Sequence, residues 1–412
     1  MRFASLLALA SLLALAPVAA KANPYLLVEA DTGRVIEEKD AGKPWYPASV
    51  TKLMTVYVAL HAVKSGRMTM DTPLTVTSYA ASQKPSKMGF QPGTKISLGD
   101  ALKMLMVKSA NDVAVTVAEG VGGSQDGFVE EMNAIAQHLG MSGSHFANPH
   151  GLPNPGQITT ARDMAILVRA LIYHFPEQEA LFRIPAIRMG NTVYRNYNRL
   201  IDRYPGADGM KTGFICDSGF NLVATAERGN RRLIAVVFGA YSAVARNEDA
   251  AVLLEKGFRS PASGFGMFGG MSHTLSSLPN AGGTPVSLRS EVCGANRAAA
   301  AAENEDERPG ARLQGGLLSF GDAGLPAGKD LLQTLPPSMP PVQVSADTSG
   351  VKVAPKPTAT ASANSKQKSK TQGTAQGTKP ASKPVAKPVS KPQNRSASPG
   401  TNTPAPPSRP AT

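Results

Sequence analysis

The segment GFNLVATAERGNRRLIAVVFGA, residues 219–240, carries the clearest structural signal in the chain. It consists of two β-rich runs around a turn at Arg228-Gly229-Asn230, which predicts an antiparallel hairpin. A second hairpin is predicted for PYLLVEADTGRVIEEK, residues 24–39, with Asp31-Thr32-Gly33 as its turn. Residues 23–260 therefore predict an α+β domain in which one antiparallel sheet joins the N-terminal and C-terminal hairpins and packs with helices.

Helices are predicted between and after these hairpins, because apolar residues recur there at helical spacing. The predicted helices span residues 49–65, 98–109, 124–140, 159–175 and about 243–258. Gly and Pro residues in SPASGFGMFGGM, residues 260–271, mark the end of the compact region. Residues 261–350 contain short apolar pieces without sustained periodicity, so we expect them to have little or no independent structure.

The first 22 residues have the composition of an export signal. One early Arg precedes an apolar run, and small residues follow it, which predicts cleavage and a mature chain that starts near Asn23. The apolar run is shorter than the roughly 18 residues that a membrane span needs. We therefore expect a protein of the periplasm or cell envelope that is soluble or peripherally attached to the membrane.

The formal net charge of +13 is concentrated near the C-terminus. Residues 351–412 contain eleven Lys and Arg and no Asp or Glu, whereas residues 23–350 are neutral overall. The basic segment repeats Lys-Pro without aromatic residues and is predicted to be disordered. It is either a solvated extension or a segment weakly attracted to an anionic membrane or wall surface. The neutral folded region gives no indication of nucleic-acid binding.

The two cysteines are Cys216 and Cys293. An exported protein works in an oxidising compartment, where a disulfide is allowed. Their spacing leaves both a disulfide and two separate thiols open.

Three short motifs contain the candidate catalytic residues. They are SVTK at residues 49–52, SAN at residues 109–111 and KTG at residues 211–213. Each motif is weak alone, since SANSKQK in the tail contains second copies of two of them. The chain has no HExxH motif, no zinc-ligand cluster, no GxSxG motif and no phosphate-binding loop, so we predict neither a metal nor a cofactor.

Ser49 and Lys52 begin a predicted amphipathic helix, where three-residue spacing places both side chains on one face. An amine beside a hydroxyl, in a pocket that lowers the pKa of the amine, can remove the hydroxyl proton and create a nucleophile. Ser is also a common N-cap, and the two interpretations are compatible.

The other two motifs offer polar groups for a substrate. Ser109 and Asn111 close an apolar helical run, and either a catalytic centre or a helix junction would supply their hydrogen-bond partners. Lys211 and Thr212 precede the 219–240 hairpin, so we place them on a strand edge, where an extended peptide can bind. Their side chains would bind a substrate carboxylate.

The ordered set Ser-x-x-Lys, Ser-x-Asn, Lys-Thr-Gly resembles that of the penicillin-recognising serine acyl-transferases. The flanking segments are similar to those of D-alanyl-D-alanine carboxypeptidases among the low-molecular-mass penicillin-binding proteins. These segments are PASVTKLMT, KSANDVAVTVAEGVGGS, FANPHGL, TTARDMA and DGMKTGF. The resemblance covers about residues 23–260 and implies a β-lactamase/transpeptidase-like fold. It also implies a serine peptidase that acts on peptidoglycan stem peptides ending in D-Ala-D-Ala.

The resemblance further implies how the reaction proceeds. Ser49 would attack the penultimate carbonyl and form an acyl-enzyme that water hydrolyses, with Lys52 as its base. Ser109 would relay the proton to the leaving amine, and Asn111 would hold the substrate amide.

The same resemblance implies the remaining contacts with substrate. Lys211 and Thr212 would bind the terminal carboxylate, and Arg246 is a further candidate for that role. Backbone N–H groups of Ser49 and Phe214 would form the oxyanion hole.

Two alternatives to a carboxypeptidase stay open: a D,D-endopeptidase that cuts peptide cross-links, and a non-catalytic cell-wall-binding protein with the same fold. Retention of every motif residue argues against the binding protein. β-Lactams are expected to acylate Ser49 as mimics of the substrate. A β-lactamase is less favoured, because Glu177 and Glu179 lack the sequence setting of a deacylating Glu in class A enzymes. Phe214 and Cys216, directly after the KTG motif, predict an altered substrate or β-lactam preference.

Overall fold

The computed structural model describes residues 23–261, 273–294 and 325–351. The predicted signal at residues 1–22 and the predicted tail from residue 352 onward lie outside these ranges. Within them, no helix has the length and apolar character needed to span a bilayer.

The secondary structure of the described residues alternates strands and helices. The strands are β1 (Tyr25–Glu29), β2 (Val35–Lys39), β3 (Pro73–Thr75), β4 (Lys95–Ser97), β5 (Ala186–Met189), β6 (Thr192–Arg195), β7 (Ala207–Ile215), β8 (Gly219–Arg228), β9 (Arg231–Ala240) and β10 (Val342–Gln343). The α-helices are α1 (Lys52–Lys64), α2 (Ser78–Ala81), α3 (Leu98–Lys108), α4 (Asn111–Gly122), α5 (Gln125–His138), α6 (Ala161–His174), α7 (Glu179–Phe182), α8 (Ala243–Arg259), α9 (Arg289–Cys293) and α10 (Gly328–Leu331). Turns of 3₁₀ helix lie at Ala48–Thr51, Pro176–Gln178 and Leu275–Ser277.

The main sheet has five antiparallel strands in the order β2-β1-β9-β8-β7. Both predicted hairpins are present, and β1 pairs with β9, so that Leu27 lies opposite Ala235. The predicted α+β fold, with one sheet joining the N-terminal and C-terminal hairpins, is confirmed. Strand β7 lies at the edge of this sheet and carries Lys211 opposite Val223 of β8.

Both faces of the central strands are buried, and alternate residues of each strand pack against different helices. On β9, Leu233 and Ala235 belong to a cluster with α8, whereas Ile234 and Val236 belong to the larger cluster that contains α1 and α3 to α6. One face of the sheet therefore packs on α8, and the other packs on the larger set of helices that includes α1 and α3.

The region around the SAN motif, residues 109–111, contains a helix boundary. The apolar run around the SAN motif forms two helices, α3 and α4, because the chain turns at Ser109, whose φ is +60°. A left-handed residue interrupts the α-helical hydrogen-bond ladder, so helix α4 starts in a new direction at Asn111. The sequence pattern predicted the first helix, at residues 98–109, and missed the second.

The sequence predicted that the domain ends near residue 260 and that little structure follows it. The structure differs from this prediction. Leu275, Leu288 and Val292 are buried in the main hydrophobic cluster, and β10 pairs with β5 in parallel. Short apolar pieces without periodicity cannot form a core of their own, but they can cover an existing core. Residues 273–294 and 325–351 therefore pack on the same domain.

Candidate active site

Ser49 lies in the 3₁₀ turn Ala48–Thr51, which leads directly into helix α1. The cap positions are Pro47 and Thr51, and neither makes a side-chain cap hydrogen bond. The N-cap interpretation of Ser49 is therefore wrong, because its hydroxyl hydrogen-bonds the side chain three residues later. Lys52 Nζ lies 2.9 Å from Ser49 Oγ.

Lys52 is fully buried and sits at the centre of the motif residues. Besides Ser49, its Nζ donates to Asn111 Oδ1 at 2.8 Å and to the His150 carbonyl at 2.8 Å. An ammonium has three donors, and these three acceptors match them. The amine is thus directed at the hydroxyl of Ser49 by groups from two other parts of the chain.

The loop FANPHGL, residues 146–152, supplies one of those groups. Burial and the positive charge of Lys52 lower the pKa of His150 to about 3. The imidazole is therefore neutral, and its Nδ1 accepts a hydrogen bond from the Leu152 backbone at 3.1 Å. Sequence reasoning treated the histidines as ordinary residues and missed that the His150 carbonyl binds Lys52.

Close packing fixes this loop against the turn that carries Ser49. A Cβ at Gly151, whose φ is +85°, would lie 1.8 Å from the Ala48 carbonyl oxygen. Thr55 of α1 also donates to the Pro149 carbonyl at 2.6 Å. Only glycine fits at residue 151. The glycine directly after His150 is therefore the feature of the sequence that could have indicated this close approach.

Ser109 and Asn111 lie where α3 meets α4, beside Lys52. Asn111 is held by its own contacts, since its Nδ2 donates to the Lys84 carbonyl at 2.9 Å and its backbone N–H donates to Ser86 O at 2.7 Å. Ser109 Oγ is buried and has no hydrogen-bond partner among the described residues. A buried hydroxyl with unused hydrogen-bonding capacity suits contact with a substrate.

Strand β7 forms the opposite wall of the site. Thr212 and Lys211 are buried, and Lys211 Nζ donates to the Thr212 carbonyl at 3.0 Å. Next to them, a Cβ at Gly213 would lie 2.7 Å from the Ser49 nitrogen. On the adjacent strand, Asn221 Nδ2 donates to the Pro47 carbonyl at 3.1 Å. The sheet edge therefore packs directly on the turn of Ser49.

A cavity of about 560 Å³ opens between these walls. The described residues that line it include three cations and no acid. The lining residues are Ser49, Pro85, Ser86, Lys87, Lys108, Asn111, Gly151, Leu152, Pro153, Tyr197, Phe214, Ile215, Cys216 and Arg289. The excess of positive charge favours an anionic ligand.

Of the predicted site residues, Ser49, Asn111 and Phe214 line this cavity, whereas Lys52, Ser109, Lys211, Thr212 and Arg246 do not. Arg246 is fully buried in α8, its guanidinium lies 5.8 Å from the ring centroid of Phe220, and its Nη2 donates to the Tyr197 carbonyl at 3.4 Å. Glu179, weighed above as a deacylating residue, lies elsewhere and pairs with Arg232.

The two cysteines are paired. Cys216, directly after β7, forms a disulfide with Cys293 of α9, with their Cα atoms 5.6 Å apart. The alternative of two separate thiols is excluded in this structure, and the disulfide ties residues 273–294 to the cavity wall.

This antiparallel sheet with its helices, and a serine and lysine between the sheet edge and the helices, define a transpeptidase-like fold. A family model described as D-alanyl-D-alanine carboxypeptidase matches residues 12–242, and the chain belongs to this family. It is 38% identical over 245 residues to D-alanyl-D-alanine carboxypeptidase DacC of Escherichia coli (strain K12), covering 58% of this chain and 61% of that protein. The chain thus spans about six tenths of the length of this relative.

Solved structures show the same fold. Penicillin binding protein 6B from Escherichia coli has 38% sequence identity and a TM-score of 0.55, with coverage of 58% of this chain and 77% of that chain. Penicillin-Binding Protein D2 from Listeria monocytogenes, in the ampicillin bound form, has 31% identity and a TM-score of 0.51, with coverage of 58% and 97%.

Proposed function

We propose that the protein is a serine D-alanyl-D-alanine carboxypeptidase that removes the terminal D-Ala from peptidoglycan stem peptides. The observation that carries this proposal is the distance of 2.9 Å between Ser49 Oγ and Nζ of the fully buried Lys52. Once the Lys52 ammonium has given up one proton, its amine at that distance accepts the hydroxyl proton as the oxygen attacks a carbonyl. Family membership of residues 12–242 supports the same activity.

In the first step, Ser49 Oγ attacks the penultimate carbonyl carbon of the peptide, and Lys52 takes the hydroxyl proton. Backbone N–H groups of Ser49 and Phe214 stabilise the oxyanion, and such donors are typically worth about 3 kcal/mol each. Ser109 then relays the proton to the nitrogen of the departing D-Ala. Water hydrolyses the resulting ester and restores Ser49.

Substrate binding uses the two walls of the cavity. Asn111 holds the peptide amide, while Lys211 and Thr212 bind the terminal carboxylate on the edge of β7. This arrangement agrees with the position of β7 as the last strand of the sheet, where an extended peptide can add as a further strand. Arg246 is a further candidate for that carboxylate, and its guanidinium is buried 5.8 Å from the ring centroid of Phe220.

β-Lactams are proposed as covalent inhibitors, because they present a strained amide to the same nucleophile. The enzyme is proposed to act in the cell envelope, after export through residues 1–22. The basic segment 351–412 would then attract it weakly to an anionic membrane or wall polymer.

The test is intact-mass spectrometry of the protein with and without benzylpenicillin, followed by assay of D-Ala release from a peptide ending in D-Ala-D-Ala. We expect one penicilloyl adduct on Ser49 and free D-Ala. Ser49→Ala should abolish both, and Lys52→Ala should slow acylation by roughly 10²-fold or more.

A matched control is Ser365→Ala, which removes the serine of the second Ser-x-x-Lys copy and should leave adduct and turnover unchanged. A cross-linked peptide in the same assay separates a carboxypeptidase from an endopeptidase. Folded protein that forms no adduct and releases no D-Ala would overturn the proposed function.

A further inference from the structure

Arg289 lines the cavity of Ser49 but belongs to a part of the chain beyond the residues that match the family. Its side chain retains 59% of its exposure. The resemblance assigned no role to this residue, and the sequence placed it in a segment with little expected structure. An exposed guanidinium at the cavity of Ser49 is therefore a candidate to bind a ligand there.

The position of Arg289 is fixed from several sides. Its Nε donates to Asp217 Oδ1 at 3.1 Å and its Nη2 donates to Asp217 Oδ2 at 2.6 Å. The Leu288 backbone N–H donates to the Asp217 carbonyl at 2.9 Å, and the side chain of Leu288 is buried. The disulfide between Cys216 and Cys293 closes the same segment onto β7. An arginine held this firmly loses little side-chain entropy when it binds a ligand.

Arg289 also keeps hydrogen-bonding capacity for a ligand. Its guanidinium has donors on three nitrogens, and no described residue accepts from Nη1. Each of the other two cations of the cavity gives one of its three ammonium donors to a protein oxygen. Lys108 Nζ donates to the Tyr197 hydroxyl at 2.8 Å, and Lys87 Nζ donates to the Ala81 carbonyl at 3.1 Å.

The direction of a bound peptide places a particular part of it near Arg289. In the proposed function the terminal carboxylate lies at Thr212 and the scissile carbonyl lies between Ser49 and Phe214. Since a strand advances about 3.3 Å per residue, the upstream part of the peptide extends past Ile215 toward Cys216. Arg289 lies next to this end of β7, because it pairs with Asp217 and because the disulfide joins Cys293 to Cys216.

We propose that Arg289 is a specificity-determining residue that binds a carboxylate on the acyl-donor part of the substrate, upstream of D-Ala-D-Ala. This inference rests on the proposed function and names the substrate class more closely. Asp217 is the positioning residue, because it orients the guanidinium while leaving Nη1 for the ligand. A planar guanidinium suits a carboxylate better than a lysine does.

The test compares two peptides that end in D-Ala-D-Ala. One carries a free carboxylate on the residue before D-Ala-D-Ala, and in the other that carboxylate is amidated. Because an exposed ion pair is modest in strength, we expect kcat/KM of the wild-type protein to favour the free carboxylate by about five-fold. The preference should shrink as NaCl rises from about 50 to 500 mM, since salt screens exposed charges.

Arg289→Ala should remove the preference, so that kcat/KM for the two peptides becomes equal, and Arg289→Lys should retain part of it. Arg259→Ala is the matched control, because it removes another exposed arginine, paired with Glu255 at 3.0 Å, outside the cavity. It should leave the preference intact.

A wild-type protein that cleaves both peptides equally, or an Arg289→Ala variant that keeps the full preference, would overturn the role of Arg289 and leave the proposed function standing. A wild-type protein that releases no D-Ala from either peptide and forms no penicilloyl adduct would overturn both.

Discussion

Replacement of Gly151 by Ala should destabilise the protein through two separable effects. The residue has a φ of +85°, and a left-handed conformation costs a residue with a Cβ about 1–2 kcal/mol. The new Cβ would also lie 1.8 Å from the Ala48 carbonyl oxygen and 2.3 Å from its carbonyl carbon. Both atoms are backbone, so the loop must move away, and overpacking of this kind costs about 1–3 kcal/mol. The expected loss in unfolding free energy is about 2–5 kcal/mol.

The same displacement should reduce catalysis, because the neighbouring His150 carbonyl accepts a hydrogen bond from Lys52 at 2.8 Å. Urea unfolding gives the stability change, and the rate of benzylpenicillin acylation gives the catalytic change. Gly140→Ala is the matched control: its φ is +78°, and a Cβ there would meet no atom within 4 Å. It should lose about 1–2 kcal/mol and keep its acylation rate.

Equal losses of stability in the two variants would refute the argument that close backbone approach makes Gly151 necessary. An unchanged acylation rate in Gly151→Ala, at full folding, would refute the argument that this loop positions Lys52.

Three further predictions concern stability. Because the pKa of His150 is depressed to about 3, the unfolded chain takes up its proton first as the pH falls below about 6.5, so the contribution of this residue to stability is lost. Between pH 7 and pH 5 the free energy of unfolding, measured with urea, should fall by about 2 kcal/mol through this residue. His150→Asn should therefore lose less stability over this pH range than the wild-type protein, and an equal loss in the two proteins would contradict the prediction. Asn221→Ala should cost about 2–3 kcal/mol and slow acylation, because Asn221 holds the Tyr46 carbonyl at 2.9 Å beside Ser49; calorimetry and penicillin labelling measure both. Replacing Cys216 and Cys293 together by Ser should cost about 2–5 kcal/mol in urea unfolding, and a variant as stable as wild type would show that packing alone holds the segment.

Local patterns in the sequence specified much of the secondary structure. Alternating residues predicted the hairpins at 24–39 and 219–240, and helical spacing predicted α1, α3, α5, α6 and α8 within a few residues. These signals are readable because an element buried against a core must repeat its apolar residues with its own period. The three motifs pointed to Ser49 and its partners through the resemblance of their ordered set to that of the serine acyl-transferases, since each motif alone is weak.

Only the tertiary structure decided what distant segments contribute to the site. The His150 carbonyl meets Lys52 across 98 positions, and Arg289 reaches the cavity from a segment without periodicity. A backbone carbonyl is present at every position, so no residue type announces that it accepts a bond from an amine. The disulfide between Cys216 and Cys293 was likewise open in the sequence, because spacing does not report distance in space. The sequence by itself thus determined the main hairpins and most of the long helices and pointed to the candidate reactive residues. The packing of loops on those elements determined how these residues are held and which charges surround them.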